Sequence, residues 1–138
     1  MLMSEELFRK ALSLERKRSK RSRRRFVLML VHAGELLQAE QGETVLGGII
    51  SALSTSTRET DLHGWYHGGL VVGAICTEIG TADITSVVKV LHSKACIALR
   101  INLGLEQVKG IQISFHVFPD DLNLQSGSRR MLDCGGDW

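Results

Sequence analysis

Residues 57–77, TRETDLHGWYHGGLVVGAICT, constrain what this chain can fold into more than any other stretch. Two short apolar runs, 62–66 and 70–76, are pinched apart by His67-Gly68-Gly69. Glycine supplies the positive φ that a tight hairpin turn needs, so the two runs predict an antiparallel pair of strands. A turn this short cannot carry a crossover helix, which argues against a parallel, flavodoxin-like sheet. A charged pair, Arg58 and Asp61, stands just before the first of the two strands.

The rest of the chain supplies the partners of that hairpin. Six apolar residues in a row, Phe26 to Val31, predict a central strand covered on both faces. Val45, Leu46, Ile49, Ile50 and Leu53 recur at helical spacing over 42–56, where Gly47 and Gly48 allow a neighbour to approach closely. A second apolar stripe runs from Ile84 to about Leu103, capped by Asp83 or Thr81, and 105–108 predict one further turn. Ile111, Ile113, Phe115 and Val117 then alternate with Gln112, Ser114 and His116, the pattern of a half-exposed strand ended by Pro119. The order is a helix followed by βαββαβ. This predicts an α+β fold with a ferredoxin-like core, an antiparallel four-stranded sheet with helices packed on it. Three segments follow: a basic N-terminal helix and linker over 1–25, the α+β domain over 26–119, and a flexible tail over 120–138.

At 138 residues the chain is long enough to bury a core without disulfides or metal. No apolar run approaches a membrane span and no secretory signal opens the sequence. Cys76 and Cys96 sit in apolar runs and read as buried free thiols; with Cys134 they make an odd number without metal spacing. A cytoplasmic protein is expected. The net charge of +2 conceals a split. Residues 1–25 hold ten Lys/Arg against three Glu, and the remainder holds seven against twelve Asp/Glu. From Arg16 to Arg25, eight of ten residues are Lys or Arg. This run reads as a linker or interaction helix over 4–22, which a second copy could share. An anionic membrane surface is the next reading. A nucleic-acid surface is disfavoured, because no aromatics interleave the charges.

Other combinations weigh less. His63 and His67 with Asp61 could face one another as metal ligands only in a strand without a bulge, and Gly64 invites one. They read better as polar turn residues, with no metal. His32 beside Glu35 could act as a base, but no nucleophile accompanies it in sequence. Gly42 with Gly47-Gly48 lacks the lysine and hydroxyl of a phosphate-binding loop, and helix packing accounts for it.

With that order and spacing, the chain resembles a GGDEF domain, the diguanylate-cyclase family, over about residues 5–118. That family carries an Arg-x-x-Asp element, five residues, and then its signature hairpin. Here Arg58-Glu59-Thr60-Asp61 is followed by Leu62 to Tyr66, and the hairpin is His67-Gly68-Gly69-Leu70-Val71. The resemblance implies a bacterial-type signalling domain whose cyclases join two nucleoside triphosphates on divalent metal. The metal is held by carboxylates of the hairpin and of the first strand's end. At those positions this chain has Gly69, Leu70 and Val71, or Leu70, Val71 and Val72 with the glycines matched. The strand end is Val31-His32-Ala33-Gly34, again without a carboxylate. Aliphatic side chains cannot hold a divalent cation, so a non-catalytic signalling or interaction module without a cofactor is expected. The resemblance also implies that Arg58 and Asp61 correspond to the site binding the product, cyclic di-GMP. A guanidinium can chelate a phosphate or a guanine edge, and a carboxylate can accept from guanine nitrogens. A surface ion pair or a helix-end cap gives the same two-residue pattern, and both readings stand at this point. The rival expectation is a nucleotide-processing enzyme using a relocated acid, Glu35 or Glu78.

Overall fold

The structure, a computed structural model, describes residues 2–77, 83–119 and 129–133. The chain opens with helix α1 (Glu5–Ser22), because Ser4 turns its hydroxyl back to accept from Leu7 N and two glutamates occupy the first turn. It ends at Arg23, which takes the left-handed conformation (φ 63°) and donates its N–H to Ser19 O. Strand β1 (Phe26–His32) follows, then the short helix α2 (Gly34–Gln38), α3 (Gly42–Ser56), the hairpin strands β2 (Leu62–His67) and β3 (Val71–Cys76), α4 (Ile84–Asn102), the turn α5 (Leu105–Val108), β4 (Gln112–Phe118) and β5 (Arg129–Asp133). Asp83 caps α4 by accepting from Ser86 N.

The sheet runs in the order β2-β3-β1-β4-β5, and every neighbouring pair is antiparallel. Strand β1 lies in the middle because its side chains are apolar on both faces. On one face Val27, Met29 and Val31 join Val72, Ala74, Phe115 and Ile113 beneath α3 and α4. On the other, Phe26, Leu28 and Leu30 join Ile75 beneath Phe8 and Leu12 of α1. Alternation along each strand sends successive residues to opposite layers. Helices α3 and α4 approach closely where Gly48 meets Leu103. Of the two adjacent glycines only Gly48 serves this contact, for Gly47 faces open space.

The βαββαβ core is the one expected, and two segment boundaries differ. Helix α1 is no linker ahead of the domain: it covers one face of the sheet. Phe8 is 0% exposed and lies over Gly64 and Gly73, which face each other across β2 and β3. A Cβ at Gly64 would stand 2.5 Å from Phe8 Cδ1, and one at Gly73 would stand 2.8 Å from its Cε2. The two glycines form a slot that only an unsubstituted backbone can offer, so Gly64 sits in regular pairing rather than in a bulge. The second difference is β5, which lies in the stretch read as a tail. Residues 129–133 pair with β4 through the register Gln112↔Asp133 to His116↔Arg129. An edge strand held by backbone hydrogen bonds needs no apolar periodicity, so none announced it. The remainder of 120–138 apart from β5 lies outside the described residues.

Candidate functional site

Two clusters predicted from the sequence meet at the ends of the hairpin. At the α3–β2 turn, Thr57 ends the helix and its hydroxyl donates to Leu53 O at 2.6 Å. That leaves the hydroxyl oxygen to accept from His63 Nε2 at 2.7 Å, which places a proton on Nε2. Burial holds the His63 imidazole below its ordinary pKa, against an opposing pull from the Asp61 carboxylate. Asp61 itself is 9% exposed. Its Oδ2 accepts from Arg58 N at 3.0 Å and its Oδ1 from Thr77 N at 3.1 Å, while Asp61 N donates to Arg58 O. One carboxylate thus ties the turn to the residue after β3. Arg58, by contrast, is exposed.

At the other end, Gly69 takes φ +77° and Leu70 N closes the turn on His67 O. A register shift between Trp65 and His67 marks a bulge. It adds one residue, Tyr66, to β2 relative to β3. It also takes His67 out of line with His63, so the imagined His63–His67–Asp61 ligand set does not converge. Asp61 is committed to backbone amides and His63 to Thr57.

The hairpin tip is held from two sides by this chain's own groups. From α1, Glu5 Oε1 accepts from Gly68 N at 2.6 Å, and Arg9 donates to Tyr66 O at 2.7 Å while lying 4.6 Å over the Tyr66 ring. The Gly68 N–H, more than the Arg9 guanidinium, holds the Glu5 carboxyl below its ordinary pKa, against the opposing effect of burial. From α2, Gln38 Nε2 donates to Gly69 O at 2.9 Å, and Ala33 N donates to Leu70 O at 3.2 Å. Leu70 lies against Gly34, where a Cβ would stand 2.9 Å from Leu70 Cδ2. The corner between the end of β1 and the hairpin is therefore lined by Ala33, Gly34, Leu70 and Val71. These residues do not fit a divalent cation, and among the described residues no three His, Cys, Asp or Glu side chains cluster as metal ligands.

His32 does meet a hydroxyl: its Nε2 lies 2.8 Å from Ser114 Oγ. Ser114 is 0% exposed, so its hydroxyl is closed to a substrate, while His32 is half-buried. The alternation of β4 had placed Ser114 on a solvent face, and the covered second layer accounts for the difference. Glu35 is exposed in the first turn of α2, and Glu78 lies outside the described residues. Cys76 is a buried free thiol, its pKa pushed up to about 12 by burial and then by the Asp61 carboxylate. Cys96 is disulfide-bonded, which corrects its reading as a second free thiol. The clasp of Glu5 and Arg9 on the hairpin was missed in the sequence. A contact between residues 63 apart leaves no local signature.

No family profile matches this chain, and no curated protein matches it in sequence. Solved structures do share its fold. A DGC protein of Thermotoga maritima superposes with a TM-score of 0.62 at 16% identity, covering 88% of this chain and 85% of that one. An N-terminally truncated Pseudomonas aeruginosa protein comprising only its GGDEF domain gives 0.63 at 17% identity, covering 86% and 72%. The chain has the fold of a GGDEF domain, and no helix among its described residues is long and apolar enough to cross a membrane.

Proposed function

We propose that this chain with the GGDEF-domain fold is a non-catalytic signalling or protein-interaction module, with the hairpin corner retained as architecture. The observation that carries this reading is Leu70 seated on Gly34 where a cyclase of the fold would need charge. Joining nucleoside triphosphates requires the phosphate charge to be neutralised as the 3′-oxygen attacks, and an apolar contact supplies no such neutralisation. Incubation with GTP and magnesium or manganese tests it by chromatography: no cyclic di-GMP is expected. Product formation that disappears on Glu35→Gln would instead establish the rival enzyme with a relocated acid.

A narrower proposal concerns cyclic di-GMP itself. The Asp61 carboxylate holds the turn through two backbone amides, so recognition of the dinucleotide at this place falls chiefly to the exposed Arg58. A guanidinium can take a phosphate or the guanine O6/N7 edge bidentately. Calorimetric titration with cyclic di-GMP reads this directly. Micromolar binding lost on Arg58→Ala supports it, and either no heat or binding indifferent to that substitution removes it.

A further inference from the structure

Helix α1 has two faces, and only one is used by the fold. Phe8, Leu12 and Ser19 point into the sheet and are buried. Leu7, Lys10, Leu14, Lys17 and Arg21 recur at alternating three- and four-residue steps, which sets them on one ridge of the helix opposite the buried side. All five are exposed, Leu7 by 55% and Leu14 by 56%. Arg18 and Lys20 beside the ridge, and Arg23 and Arg24 just past the helix end, are exposed as well, while Arg16 lies towards the sheet with its guanidinium 5.0 Å over the Phe118 ring. The acids on this helix are already engaged with its own cations, Glu5 with Arg9, Glu6 with Lys10 and Glu15 with Arg18. The surplus is positive and concentrated in the last two turns.

We propose that this ridge docks the protein on an anionic phospholipid surface, with Leu7 and Leu14 entering the headgroup layer and Lys17, Arg21 and their neighbours meeting lipid phosphates and carboxylates. Charge complementarity selects the occupant. A helix lying along a membrane combines cations with a few apolar residues on the side facing the lipid. A second copy paired two-fold through the same ridge would set its cationic surplus against itself, which repels. Nucleic acid would use the cations but has no use for two exposed leucines, and no exposed aromatic on α1 offers a base a stacking surface. The helix is also fixed flat on the sheet by Phe8 in the Gly64–Gly73 slot, so its ridge is presented as a preformed, rigid edge. Two leucines are a weak apolar anchor, so attachment depends on charge and is steeply salt-sensitive. Nothing in this proposal depends on the hairpin corner being catalytically silent.

The test is cosedimentation of the full chain with vesicles of phosphatidylcholine alone or mixed with phosphatidylserine, at low and physiological salt. Binding is expected only to the mixed vesicles and is expected to weaken as salt rises. Lys17→Gln with Arg21→Gln is expected to lower the partition coefficient by about 25-fold, roughly fivefold per charge removed. Leu7→Ser with Leu14→Ser is expected to lower it several-fold while leaving retention on duplex DNA unchanged. All four residues are exposed, so each variant is expected to stay folded, with circular dichroism as the check; Lys17→Arg, which keeps the charge, should bind as the parent does. Equal binding to both vesicle types, or binding untouched by the paired charge removal, overturns the proposal. So does DNA binding at least as tight as vesicle binding with the leucine variant indifferent to both. A dimer in sedimentation velocity that the leucine variant dissolves assigns the ridge to a second copy and overturns it too.

Discussion

Asp61 sits where the resemblance implied a ligand-binding acid, and its surroundings assign it first to the backbone. A carboxylate that accepts from the amides of Arg58 and Thr77 is a clamp between the α3–β2 turn and the residue after β3. Asp61→Ala strands both N–H donors in a nearly buried setting, at about 1–3 kcal/mol for each amide left unpaired. Urea unfolding should show a loss of that order with or without cyclic di-GMP. His63, beside it, gives a pH signature. Its folded pKa lies below the ordinary value of 6.5, so the folded state prefers the neutral ring. Its contribution to stability is therefore present above pH 6.5 and is lost as the pH falls through the folded value. The urea midpoint should decline as the pH falls below 6.5, and His63→Gln should flatten that decline. An unchanged slope in the variant would place the titration elsewhere.

At the scale of elements, the contact between α1 and the hairpin decides how the second layer of the domain is built. Phe8 enters a slot floored by Gly64 and Gly73, and Glu5 and Arg9 then reach the backbone at the hairpin tip. Gly73→Ala puts a methyl group into the Phe8 ring and should cost about 1–3 kcal/mol, as overpacked cores do. Gly47→Ala, facing open space in α3, should instead be neutral or stabilising by up to about 1 kcal/mol. Thermal unfolding of the two variants separates the glycine that is needed for packing from the one that is not. Most elements were legible in the sequence because their signals are local: the stripes of α3 and α4, the Asp83 cap, and the Gly68-Gly69 turn. What was illegible depends on distant chain. The glycine slot needs Phe8 to explain it, the burial of Ser114 needs a second covered face, and β5 is held by backbone pairing with β4.

For the molecule as a whole, a three-layer arrangement follows from one strand, β1, being apolar on both faces. With α3 and α4 on one side, the other face required a cover, and α1 supplies it. The basic segment is thereby part of the domain, and its remaining charge faces outward. The candidate site was legible in its position and its residue types, but not in its state. Spacing located the hairpin and the turn at Arg58–Asp61, while only the three-dimensional contacts show that the tip's polar backbone groups already have partners. Glu5 takes Gly68 N–H, Gln38 takes Gly69 O, and Leu70 occupies the space over Gly34. The proposal of a non-catalytic module requires that this corner, filled by the protein's own residues, take up no nucleoside triphosphate. Titration of the isotopically labelled protein with GTP and magnesium, followed through the amide resonances of Gly68, Gly69 and Leu70, addresses it most directly. These resonances should stay in place at millimolar nucleotide. Saturable shifts confined to the hairpin and the end of β1, accompanied by release of the Gly68 amide from Glu5, would contradict it.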